Sequence, residues 1–276
     1  MNAPFRSTGR GRAASAARVL PSPVMPAHLR AIRCHEVVPD LAGWVLTEGT
    51  VPQSSPHEIL SERIKHLLLR WAVNAGRTVK VGRDLALRWD QAHPRLGVDP
   101  DVYVVEPPPP EGDRVKSLRL WQEGHVAPFL AVEIVSEGHP YKDYRVAPEK
   151  YAVCGVGELW VLDPDLFGPR AEGGPHRIQI WRLVDGALFT QVHVGEGPAW
   201  SDAVQGWLHL PPEDPWAFAL SSDEAGQQRW LTGEETAVQR EEAAVQREEA
   251  ALQREEAALQ RIAELEAQLA RGPSGR

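Results

Sequence analysis

Two carboxylates stand where carboxylates are expensive. Asp101 follows Pro100 and opens the run Val102-Tyr103-Val104-Val105, and Glu133 lies inside Phe129-Leu130-Ala131-Val132-Glu133-Ile134-Val135. An ionised acid among aliphatic side chains costs stability unless a partner or a metal meets it. Both runs have the β-branched, apolar character of strands. Two acids on one sheet supply hard oxygen ligands for Mg²⁺ or Mn²⁺ and leave coordination positions for water and phosphate. A metal held there lowers the pKa of a bound water and offsets the charge of a phosphodiester. The expectation is therefore metal-assisted phosphodiester hydrolysis, with Asp101 and Glu133 as the metal ligands. The plain alternative is that Asp101 ends a loop and Glu133 is a paired strand acid.

The elements that must position these acids are marked by Pro and Gly. Ser55-Pro56-His57-Glu58 reads as a helix start, with Ser55 as N-cap, Pro56 at the first position and Glu58 closing a capping box. Ile59, Ile64, Leu67, Leu68 and Trp71 follow at helical spacing, and Gly76 ends the helix. The segment from Val37 to Val51 suggests a strand or hairpin around Trp44. Residues 78–82 and 85–89 alternate as strands do. Residues 107–127, rich in Pro, Gly and charge, read as an exposed excursion. A helix is expected from about Asp143 to Cys154, regular from Ala147 because of Pro148, with Gly155 as its stop. Glu158 to Leu162 reads as a strand, and residues 178–183 and 188–192 as a hairpin turning at Asp185-Gly186. Helices interleaved with strands give a mixed α/β domain with the acids on central strands.

Composition sets the frame. The chain has 276 residues, 42% hydrophobic and 25% charged, as in soluble globular proteins. No apolar run reaches the roughly 18–20 residues needed to cross a bilayer. The two cysteines, Cys34 and Cys154, form no zinc-like spacing and no disulfide framework, which fits a reducing cytoplasm. The net charge is −8, yet residues 1–33 hold six Arg and no acid. That stretch reads as a disordered basic leader. The acidic remainder disfavours non-specific DNA binding, which depends on Lys and Arg. Residues 34–215 form the expected domain, 216–233 a linker, and 234–271 a helical tail. In the tail, near-copies of one heptad run from Ala237 to Ala257. Each heptad offers one good core residue (Val238, Val245 or Leu252) and places Glu where a second should stand. A long helix with weak self-association follows, rather than a strong coiled coil.

From His57 to Pro164 the pieces fall in a recognisable order. They are Ser55-Pro56-His57, Pro100-Asp101-Val102, Val132-Glu133-Ile134-Val135-Ser136, Asp143, Lys150-Tyr151-Ala152, Gly155-Val156 and Glu158-Leu159-Trp160-Val161-Leu162-Asp163-Pro164. In this order they resemble the Uma2 family of proposed restriction endonucleases, within the PD-(D/E)xK nuclease-like superfamily. The resemblance implies a restriction-endonuclease-like mixed sheet flanked by helices, a nucleic-acid substrate, DNA first, and Mg²⁺ or Mn²⁺ as cofactor. It implies that Asp101 and Glu133 are the two site acids. The superfamily places a lysine two residues after the second acid, where this chain has Val135. Uma2-like proteins place one on the next helix, midway between an Asp and a Tyr, where this chain has Ala147. Lys150, three residues on and on a neighbouring part of the same helix face, is the substitute taken as the assisting residue. Lys142, just before the helix, is the second candidate.

Other polar residues have two readings each. His57 matches a family position and could approach the acids, or it is solvated in a first turn. Glu58 is a third acid or a cap, Asp99 a second strand acid or a loop residue, and Asp143 a family position or a helix cap. Asp163-Pro164 reads as a turn. Most of the ten Trp read as core, since no basic residues interleave with them to make a base-stacking stripe. The leading function is a metal-dependent endonuclease. The alternatives are a nuclease-fold binding module that has lost its lysine, and a scaffold working through its tail.

Overall fold

The computed structural model describes residues 29–46 and 55–270. The expected leader falls outside the described residues up to His28. Its last residues belong to the fold, as strand β1 (Ala31–Arg33). Helix α1 (Ser55–Asn74) follows, then strands β2 (Lys80–Gly82), β3 (Leu87–Arg88), β4 (Val102–Val105), β5 (Leu118–Arg119) and β6 (Leu130–Ile134). A π-helical turn, Lys142–Val146, leads into α2 (Ala147–Cys154). Next come β7 (Glu158–Leu162), β8 (Ile178–Val184), β9 (Leu188–Gly195), β10 (Ala199–Ser201), β11 (Gly206–His209) and β12 (Ala219–Ser221). Helix α3 (Gly233–Ala270) ends the described chain.

Seven strands form one mixed sheet in the order β1-β9-β8-β7-β6-β4-β2. β6 and β7 pair in parallel, and the other neighbours are antiparallel. The central strands β4, β6 and β7 are buried along their whole length because both faces are covered. On one face Val102, Val104, Leu130, Val132 and Ile134 meet Leu60, Ile64, Leu67 and Leu68 of α1. On the other, Tyr103, Ala131, Val135 and Leu159 meet Ala147, Tyr151 and Ala152 of α2. Trp160 and Trp181 are fully buried. Asp185 and Gly186 both adopt positive φ at the β8–β9 turn, which their short or absent side chains allow.

Three segments differ from expectation. Ile59 is exposed and Leu60 takes its place in the core, because Leu60 lies one helical turn before Ile64. Around Trp44 the described part of the expected strand or hairpin, up to residue 46, is a turn, and residues 47–51 lie outside the described residues. The Asp40 carboxylate accepts the Ala42 and Gly43 N–H groups at 3.0 Å, and a single bridge joins Val45 to Leu96. The excursion at 107–127 is pinned rather than free, since Leu118 is buried and β5 pairs in parallel with β3. The residues read as a linker also contain structure. β12 joins β10 and β11 in a second sheet, and Phe218 and Leu220 are buried under α1's face of the main sheet.

Candidate active site

The β4–β6 register pairs Val102 with Val132 and Tyr103 with Ala131. Carried one residue on, it sets Asp101 opposite Glu133. Side-chain alternation then turns both towards the α2 face of the sheet. Asp101 is held from two sides. Its Oδ2 accepts the Ile134 N–H at 2.6 Å, and His57 Nε2 from the first turn of α1 lies 3.3 Å from the same oxygen. His57 is buried, and its Nδ1 has no partner among the described residues. Burial disfavours the imidazolium, but the hydrogen bond and charge of Asp101 outweigh it, so the His57 pKa lies above its ordinary value.

Glu133 is 1% exposed. Its Oε1 accepts the Tyr151 hydroxyl at 2.6 Å, and Lys142 Nζ stands 4.0 Å from its Oε2. Lys142 Nζ is also 3.6 Å from Oδ1 of Asp143, which is buried beside it. Burial raises the carboxyl pKa of both acids, with Lys142 opposing, and Asp101 adds to the effect on each. Glu133 in turn raises the Lys142 pKa more than any other neighbour. Asp99 sits exposed at the rim, within the fields of Arg88, Lys142 and Lys150.

Lys150 takes a different place. Its ammonium donates to the Gly97 carbonyl at 2.9 Å and stands 5.9 Å from the centre of the Trp44 ring. Burial lowers its pKa to about 8, with Lys142 adding to the shift. The structure therefore brings Asp101, Glu133, Asp143, His57 and Lys142 together, and ties Lys150, within the field of Glu133, to the loop that leads into Pro100 and Asp101. Val135 and Ala147, the two positions searched for a lysine, are buried and apolar. Glu58 lies outside the cluster, and its carbonyl accepts Ser61 Oγ. Asp163 bonds to Tyr144 and to the Phe167 and Gly168 N–H groups, a turn-closing role. The sequence reading passed over Tyr151 as a site residue. The signal was its spacing, one residue after Lys150 on the helix face that meets β6.

No group of three or more His, Cys, Asp or Glu side chains is arranged to hold a metal among the described residues. Magnesium is commonly held by one or two carboxylates, with water completing its shell. Asp101 and Glu133 offer two carboxylates on one face of the sheet. Burial is the main cause of the raised carboxyl pKa values of Glu133 and Asp143, with the neighbouring acid Asp101 adding to it and Lys142 opposing it.

The model of the family Uma2, described as "Putative restriction endonuclease", matches residues 39–211. The chain belongs to the Uma2 family. The matched span runs from the turn before Trp44 past β11, so it contains every residue of the site. A solved structure, titled as a putative nuclease belonging to DUF820 from Anabaena variabilis ATCC 29413, is 16% identical. The match covers 62% of this chain and 85% of that one, with a TM-score of 0.42. No curated protein matches the chain.

Proposed function

We propose that this Uma2 protein is a divalent-metal-dependent endonuclease that hydrolyses phosphodiester bonds in DNA. The observation that carries this reading is the cross-strand placement of Asp101 and Glu133 on one face, with a lysine ammonium beside them. Asp101 and Glu133 would hold Mg²⁺ or Mn²⁺, which would supply an activated water and charge stabilisation at the phosphate. The chain's own residues do the rest. The Ile134 N–H and His57 fix the Asp101 carboxylate, Tyr151 fixes one oxygen of Glu133, and Lys142 presents positive charge to the acids at the open side. Lys150 assists from behind by holding the loop of Asp101.

Supercoiled plasmid incubated with the protein and Mg²⁺ or Mn²⁺ tests this. Nicked and linear products are expected from the wild type. Asp101→Ala and Glu133→Ala should each slow cutting by about a hundredfold or more, the scale of losing a principal electrostatic group. Cutting that persists after loss of both acids would remove the site assignment. A protein that neither cuts nor binds metal would favour the binding-module reading, to which the absence of lysine at Val135 and Ala147 lends weight.

A further inference from the structure

We propose that Lys142 is the working lysine of this site, and that its ammonium competes with a divalent ion for Glu133. With an ion held by Asp101 and Glu133, the Lys142 ammonium would be displaced from Glu133 and free to meet the phosphate. This rests on the endonuclease reading above and assigns a role that neither lysine position of the family pattern fills.

The local backbone explains why residue 142 reaches the acids. The turn Lys142–Val146 is π-helical, and the Ala147 N–H donates to the Lys142 carbonyl. A π turn holds one more residue than an α turn and recurs at functional sites. Here it lets two consecutive residues, Lys142 and Asp143, face the acid pair. Pro148 has no N–H to give to the Tyr144 carbonyl four residues back. That carbonyl instead accepts Arg30 Nη1 at 3.0 Å, which ties the turn to β1. The wide turn is thus built in by sequence and braced from outside.

The two lysines differ in freedom. The Lys142 side chain is 49% exposed, whereas those of Glu133 and Asp143 are 2% and 4% exposed. The ammonium can swing into water while the carboxylates stay in place. Lys150 is buried, bonded to Gly97 and seated by Trp44, so it acts as a tether of the loop before Asp101. A lysine ammonium and a divalent ion cannot both lie within 4.0 Å of Glu133 Oε2 without strong like-charge repulsion. One must give way, and only Lys142 has somewhere to go.

Mn²⁺ titration of the full chain by calorimetry, beside plasmid cleavage, tests the proposal. Lys142→Gln should bind Mn²⁺ roughly tenfold more tightly, because a competing charge is gone. The same variant should cut about a hundredfold more slowly, because the phosphate loses its cation. Lys142→Arg should keep wild-type Mn²⁺ affinity. Tighter binding with slower cutting is a signature that damage to the fold would not produce. Unchanged or weaker Mn²⁺ binding in Lys142→Gln overturns the assignment, as does an equal gain in Lys150→Gln. If the wild type binds Mn²⁺ and cuts while Lys142→Gln gains nothing, the lysine assignment alone falls. If neither protein binds Mn²⁺, the endonuclease reading falls with it.

Discussion

The two oxygens of Glu133 have different neighbours, and that difference has a thermodynamic price. Tyr151 donates to one at 2.6 Å, while Lys142 remains 4.0 Å from the other. One neutral donor and one distant cation do not replace the water that full burial removes, so the carboxyl pKa rises. A raised folded pKa means the folded protein binds the proton more tightly than the unfolded chain. The destabilisation is absent below the ordinary carboxylate range, grows as pH rises above it, and is fully present once pH has passed the raised value. In metal-free protein, Glu133→Gln should therefore stabilise at pH 8 by about 1–3 kcal/mol, and the gain should shrink as pH falls and vanish by about pH 4. Thermal melts across that range check this. That the two acids share one face of the sheet was legible in the sequence, because Asp101 opens and Glu133 interrupts an apolar run whose neighbours leave little choice of element. The choice between Lys142 and Lys150 was not legible. Helical periodicity assumes 3.6 residues per turn, and the π turn before α2 breaks that count at the residue in question.

Among elements, α2 does most to complete the site, since it carries Tyr151 and Lys150 and follows the turn that carries Lys142. Its end is set by Gly155, at φ 74°, whose N–H bonds back to the Ala152 and Tyr151 carbonyls. A Cβ built there meets nothing within 4 Å, so the cost of a side chain is backbone strain alone. Gly155→Ala should lower stability by about 1 kcal/mol, read as a shift in urea midpoint with an unchanged slope. Long, strongly patterned elements such as α1 and the β8–β9 hairpin could be read from sequence. Short ones could not. β12 is three residues long, too few for alternation to register, and its place was read as linker. The turn at Trp44 is set by the Asp40 carboxylate and by packing against Trp89, with ring centres 5.9 Å apart, a contact distant in sequence.

At the scale of the whole molecule, acidity and tail stand apart from the nuclease reading. The net charge of −8 supplies no general attraction for a polyanion, so the proposed DNA substrate would have to be drawn by the local field at the site. No helix among the described residues is long and apolar enough to cross a membrane. In α3 the seam residues Val238, Val245 and Leu252 are about half exposed. The root of α3 is firm. Thr232 and Glu235 form a reciprocal capping box, and Arg63 of α1 bonds both Glu235 and the Phe218 carbonyl at 2.8 Å. Arg63→Ala should speed amide exchange in the first turn of α3 by about tenfold, measured by mass spectrometry, with the central strands unaffected. Helix α3 has 38 residues, which makes it a rod about 57 Å long. It is clamped at one end to the helix whose opening turn touches Asp101. A clamped rod is a lever arm: torque applied far from the body is delivered at Arg63, about two turns of α1 from His57.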